Sequence, residues 1–162
     1  MLIFLPRAER LQSEFDEIRS ELIDVVSPLT PEEFEWAPRE DMKNIRSLLR
    51  EIGAEEKETS FCLIEKVRMD REEDIVWSGD DIQSTLADLA SIRIDTLEYL
   101  DNVEEQELQL PNVLPEAWQS ALGKKSMEPE ELLRRVIRHE YYHLGQIITY
   151  KWILGHNPYK TK

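Results

Sequence analysis

Residues 129–155 read PEELLRRVIRHEYYHLGQIITYKWILG. Taken in steps of four and three, the stretch gives Leu132, Val136, His139, His143, Gln146, Tyr150 and Ile153, an unbroken seam along one side of a helix. Pro129 suits the first helical turn, Gly155 suits the C-terminal cap, and Pro158 lies just beyond. The spacing predicts a helix over 129–154. The seam is apolar at its ends and polar in its middle. Hydrogen-bonding side chains on a stripe that faces a core require partners, because an unpaired buried polar group costs about 1–3 kcal/mol.

Working outward, three more segments carry helical periodicity. Over 7–27, Leu11, Phe15, Ile18, Leu22 and Val25 share a face, and Pro28 and Pro31 close the segment. Thr30-Pro31-Glu32-Glu33 then has the form of a capping box with proline at the first helical position, which predicts a short turn. Over 45–68, Asn44 is a suitable N-cap, and Ile45, Leu48, Leu49, Ile52, Thr59, Leu63 and Val67 form the apolar face. Over 82–103 the face is Ile82, Leu86, Leu89, Leu97, Leu100 and Val103. Alternating strand patterns are weak, and only 5 glycines are present. The reading is all-α, a four-helix bundle forming a single domain over 1–162. Two connectors stand out. Residues 69–81 are acidic, with Trp77 and Gly79 near the end; residues 104–126 contain Pro111, Pro115, Trp118 and Gly123. A loop as long as the second serves either as a lid or binding loop or as passive surface.

Charge narrows the partners. With 34 acidic and 20 basic residues the net charge is −14, which repels phosphate backbones and anionic membrane surfaces. Nucleic acid and membranes are therefore not expected as partners, and no segment is long and apolar enough to span a bilayer. The run Met1–Leu5, followed at once by Pro6 and Arg7, is too short for a signal-peptide core. The single cysteine, Cys62, excludes an internal disulfide and suits a cytoplasmic location.

Two features of the helices can carry chemistry. His139 and His143 are four residues apart, so both project from one face, one turn from each other. Two imidazoles so placed can hold one metal ion, or can form a core pair bonded to carboxylates on neighbouring helices; the residues alone leave both readings open. Gly145, inside the helix, suggests close approach by a backbone or ligand, or simply helix packing. The segment 45–68 carries Glu51, Glu55, Glu56 and Glu58. On a helical wheel Glu56 falls near the centre of the apolar face, Glu55 on its flank, and Glu51 further round that flank. Arg93 lies in the apolar stripe between Leu89 and Leu97. A buried Glu56–Arg93 ion pair is expected, against the alternative that both snorkel to water. Cys62 reads as a small core residue and His156 as a surface residue.

The segment His139-Glu140-Tyr141-Tyr142-His143-Leu144-Gly145-Gln146-Ile147 resembles the His-Glu-x-x-His-x-Gly-Gln-Ile signature of the DinB/YfiT-like superfamily. Leu29–Pro38 and Asn44–Ile52 resemble that family's stretch between its first two helices and the start of its second. The resemblance implies an up-down-down-up bundle, with a crossover that the 69–81 connector, able to span about 40 Å when extended, is long enough to make. It implies a divalent metal held by three histidines. Two of them map onto His139 and His143; the third position is Glu51 here, giving a two-histidine, one-carboxylate set. Glu55 is the alternative carboxylate, and Gln146 and Tyr142 would line the ion or the substrate. Zinc or nickel is expected, and the carboxylate also admits iron or manganese. Some members of the family are thiol S-transferases or isomerases that use low-molecular-weight thiols, so the resemblance implies an enzyme of transferase or hydrolase type acting on a small molecule. The alternatives are a non-catalytic metal- or small-ligand-binding bundle, or a structural protein whose site is degenerate. Relatives include monomers and dimers, so a homodimer is compatible.

Overall fold

The computed structural model describes residues 6–65 and 75–157. Its elements in chain order are α1 (Arg7–Val26), α2 (Pro31–Phe34), α3 (Ile45–Glu65), α4 (Ile82–Asn102), a 3-10 turn (Glu107–Gln109), β1 (Asn112–Val113), α5 (Glu116–Leu122), β2 (Ser126–Met127) and α6 (Pro129–Ile153). Local chemistry sets the helix starts. Thr30 and Glu33 close the capping box of α2: the Glu33 amide donates to Thr30 Oγ1 at 3.2 Å and the Thr30 amide to Glu33 Oε2 at 3.0 Å. Asn44 Oδ1 accepts from the Ser47 amide at 2.9 Å and opens α3. Asp81 Oδ1 does the same for α4 through the Ser84 amide at 2.8 Å.

Side-chain pairs along the helices give their directions. Arg7 meets Glu130, Glu14 meets Arg134, and Lys151 donates to the Val25 carbonyl, so α1 and α6 run parallel. Gln12 bonds Asp101 while Arg19 bonds the Leu89 carbonyl, so α4 runs against α1. The Tyr150 hydroxyl donates to the Lys43 carbonyl and Arg135 pairs with Glu55, so α3 runs against α6. Arg50 contacts Gly79 and Asp80, and Lys57 contacts Asp95, so α3 and α4 are parallel. The bundle is therefore up-down-down-up, with α2 a turn inside the first connection. Leu11, Phe15, Ile18 and Leu22 of α1 meet Leu48, Leu49 and Ile52 of α3, Leu89 of α4, and Leu132, Val136 and Ile147 of α6 in one core.

Several expectations need correction. Val26 rather than Val25 is the buried residue that ends the α1 stripe, because a four-residue step from Leu22 stays on the inner face. Ile153 is 59% exposed. Tyr150 is already level with Lys43, just before α3 begins, so the last turn of α6 passes the end of its neighbour. The end of the predicted second helix, with Val67, and residues 69–74 of the connector lie outside the described residues. The 104–126 connector is not a plain loop. β1 and β2 pair antiparallel, Asn112 with Met127 and Val113 with Ser126, around α5, which Gly123 ends at a φ of 65°. Leu108, Leu114 and Met127 are buried and fix this segment to the core.

One close approach brings α3 against α4. A Cβ placed on Gly53 would stand 2.8 Å from Leu89 Cδ2 and 2.8 Å from Trp77 Cη2, with Ile92 Cδ1 at 3.1 Å. Gly53→Val is expected to lower stability by about 1–3 kcal/mol through overpacking. A urea-unfolding midpoint equal to that of the parent protein would contradict this packing.

Candidate functional site

The helices α3 and α6 face each other, and the polar middle of the α6 seam lies in their interface. The Nε2 atoms of His139 and His143 stand 3.1 Å apart, with the rings perpendicular and their centroids 4.5 Å apart. His143 is buried and His139 half-buried. His143 Nδ1 lies 2.7 Å from Gln146 Oε1. Since a carbonyl oxygen only accepts, Nδ1 carries the proton and the Nε2 lone pair points toward His139. Gln146 Nε2 donates in turn to the Tyr142 hydroxyl at 3.3 Å, and the Tyr142 ring packs edge-on against His143. Tyr142 itself is 63% exposed and forms the rim.

Glu51 reaches this pair from α3. One carboxylate oxygen is 3.6 Å from His143 Nε2, while the other is paired with Lys43. Among the described residues no group of three or more His, Cys, Asp or Glu side chains is gathered into a metal-holding set. The two nitrogens by themselves have the spacing of ligands to one ion. Imidazole nitrogens about 2.0–2.1 Å from a zinc ion, at bond angles of about 90–110°, stand about 2.8–3.4 Å apart. The donor set thus fits a divalent ion at its two histidines; Glu51 completes it only by turning from Lys43. Glu55, the alternative carboxylate, is buried and paired with Arg135 at 3.0 Å. Glu55 and Arg135 lie one turn along their helices from Glu51 and His139. Beyond them a cavity of about 300 Å³ is bounded by Glu58 of α3 and by Ala117 and Trp118 of α5, with Trp118 Nε1 donating to Glu58 at 2.8 Å. Gly145 does not mark a close approach: it is exposed, and a Cβ there would meet nothing within 4 Å. Cys62 is buried in α3, and His156 is exposed, beside Glu33.

Deeper in the bundle lies a cluster of charges. Arg93 Nε donates to Glu56 Oε1, and Arg93 Nη2 lies 3.2 Å from Glu56 Oε2 and 3.0 Å from Glu140 Oε2. Arg19 Nε donates to Glu140 Oε1 at 2.6 Å, and its Nη2 bonds Glu56 Oε2 at 3.0 Å. Thr96 Oγ1 donates to Glu56 Oε1 at 2.9 Å. The spare guanidinium donors reach the carbonyls of Phe15 and Leu89. Sequence reasoning reached Glu56 and Arg93 but missed Arg19 and Glu140. Both were visible as single charged residues on apolar stripes: Phe15, Arg19, Leu22, Val26 in α1, and Leu133, Ile137, Glu140, Leu144, Ile147 in α6. Burial pushes the Glu56 carboxyl up, but the charges of Arg93 and Arg19 and the bonds from Arg93 and Thr96 outweigh it and hold its pKa below the ordinary carboxylate value. Burial likewise pulls Arg19 down, yet Glu140 and Glu56 raise it above its usual value.

The architecture and the motif it presents are those of a known class. The chain matches the DinB superfamily over residues 14–147 and belongs to it. A DinB-like protein of Bacillus subtilis has the same fold, with a TM-score of 0.71 and 16% identity over 91% of this chain and 94% of that one. A conserved protein of Enterococcus faecalis superposes with a TM-score of 0.70 and 16% identity over 94% of this chain and 99% of that one. No protein of curated function matches this chain.

The charge cluster sets a pH dependence. Because the folded-state pKa of Glu56 is lowered, its contribution to stability is fully present above the unfolded carboxyl value of about 4.3 and is lost as the pH falls through the lower folded value. Urea midpoints are expected to drop on acidification below about pH 4.5, and Glu56→Gln is expected to be less stable at neutral pH with a shallower acid decline. An acid decline of the same steepness in Glu56→Gln would show that this carboxylate does not contribute to it.

Proposed function

We propose that this protein is a divalent-metal-dependent enzyme acting on a small molecule, with a thiol or water as nucleophile. The observation that carries the reading is the convergence of the His139 and His143 Nε2 atoms at 3.1 Å, with His143 oriented through Nδ1 by Gln146. His139, His143 and Glu51 would hold the ion, zinc or nickel first, with iron or manganese admitted by the carboxylate. When bound, such an ion lowers the pKa of a coordinated thiol or water and so supplies a nucleophile at neutral pH. Gln146 fixes the imidazole, Tyr142 stands at the solvent rim, and the cavity beside Glu55 and Arg135 offers room for the organic part of a substrate. A low-molecular-weight thiol as co-substrate accords with the activities implied by the family resemblance, and a buried lone Cys62 suits a reducing cytoplasm.

The Lys43–Glu51 pair favours a second reading, a non-catalytic binder or a bundle with a degenerate site, because it already neutralises the carboxylate. Metal binding to tag-free protein separates the two. Zinc or nickel is expected to bind at one ion per chain, with loss of stoichiometric binding in His143→Ala and a drop of about 10–100-fold in Gln146→Ala. Glu51→His is expected to raise nickel affinity. Lys43→Met, which releases Glu51, is expected to raise it by up to about fivefold, since an exposed pair is worth about 0.2–1 kcal/mol. Calorimetry with no binding to the parent protein sinks the metal reading. Binding without thiol-transfer or hydrolytic turnover leaves the non-catalytic alternative in its place.

A further inference from the structure

We infer that the buried Arg19–Glu56–Arg93–Glu140 network positions the candidate metal site, by fixing how far α3 and α6 are rotated toward each other. Each of the four helices supplies one member: Arg19 from α1, Glu56 from α3, Arg93 from α4 and Glu140 from α6. The two carboxylates do not bond each other. They are joined only through the guanidinium groups, Arg93 and Arg19 each touching both.

Helix geometry turns this clamp into a register device. Side chains advance about 100° per residue. With Glu140 pinned to the bundle centre, His143, His139 and Gln146 lie about 60°, 100° and 120° to one side of it. With Glu56 pinned likewise, Glu55 and Glu51 lie about 100° and 140° to one side. Those two sides are the surfaces that meet, as the Glu51–His143 and Glu55–Arg135 contacts record. An apolar centre would permit α6 to rotate or slide with modest repacking, whereas forked, bidentate pairing permits few arrangements. Arg19, Glu56, Arg93 and Glu140 are thus positioning residues, buried in the bundle and acting on the imidazoles through the helix that carries both.

This inference deepens the metal reading, and its test includes a readout that needs no metal. Two variants alter the clamp without leaving an unpaired carboxylate: Arg93→Lys, which keeps the charge but loses the fork, and the double change Glu56→Gln with Arg93→Met, which removes one charge of each sign. In nitrogen-15 spectra of chelator-treated protein, parent His143 is expected as a single Nδ1–H tautomer. Both variants, while cooperatively folded, are expected to show tautomer averaging and at least tenfold weaker zinc binding. A folded variant that keeps the parent tautomer signal, and a zinc affinity within twofold, overturns the inference and leaves the network a stability element only. If the parent binds no zinc, the metal reading fails on its own, and the tautomer signal alone decides whether the clamp orients the histidines. Arg93→Lys retains the buried charge balance, so one variant remains to be read if the double change does not fold.

Discussion

Four buried ionic side chains at the middle of the bundle have to be balanced before the rest of the structure can hold. Glu56 and Glu140 are 1% and 0% exposed, and Arg19 and Arg93 enclose them with charge-assisted bonds. Desolvating such groups is costly, and removing one partner typically leaves a penalty of about 3–5 kcal/mol. The cluster carries two charges of each sign, and backbone carbonyls of α1 and α4 take the remaining guanidinium donors. The apolar contacts around it, Phe15 under the Arg93 guanidinium at 4.5 Å among them, keep water out and strengthen each pairing. Hydrophobic burial closes the bundle in any of several rotations; the ions accept very few.

Much of the architecture was legible in residue spacing. The four long helices follow from stripes with period near 3.6; the starts of α3 and α6 follow from Asn44 and Pro129, and Thr30 marks the short α2. The elements within the 104–126 connector were not legible: strands of two residues, 112–113 and 126–127, are too brief to show alternation, and α5 has no buried residue of its own to generate a stripe. Within the site, Glu51 lies off the centre of its face, as its wheel position indicates. Its capture by Lys43 was not legible, because Lys43 belongs to an irregular segment whose side-chain direction no period encodes. Glu140 was overlooked for a different reason. Reading the seam through the histidines placed the centre of α6 about 60–100° away from where burial puts it, so the neighbouring stripe with its one glutamate passed as a flank.

The two halves of the α3–α6 interface have different electrostatic character. On the inner side the charges are dry, doubly bonded and balanced. On the outer side the Glu51–Lys43 pair is half open to water, Tyr142 is exposed, and the two imidazoles meet through their Nε2 atoms. Rigid ions behind and exchangeable groups in front suit a binding site, where geometry must persist while the ligands of the site change partners. The hairpin and α5 close one end of this interface without sealing its length, because Leu108, Leu114 and Met127 anchor them while Trp118 bonds to Glu58 at the border of the cavity.

The parallel course of α1 and α6 places Arg7 and Ile153 at opposite poles. The axis of α6, 25 residues long, is about 37 Å. His139 lies about 15 Å from Pro129 along that axis and His143 about 15 Å from Ile153, so the two imidazoles straddle its midpoint. The pole at Arg7, which is level with Glu130, and the pole at Ile153 therefore stand about equally far from the imidazoles. A fusion partner or surface tether at either pole is held nearly three turns of α6 away from the nearer imidazole.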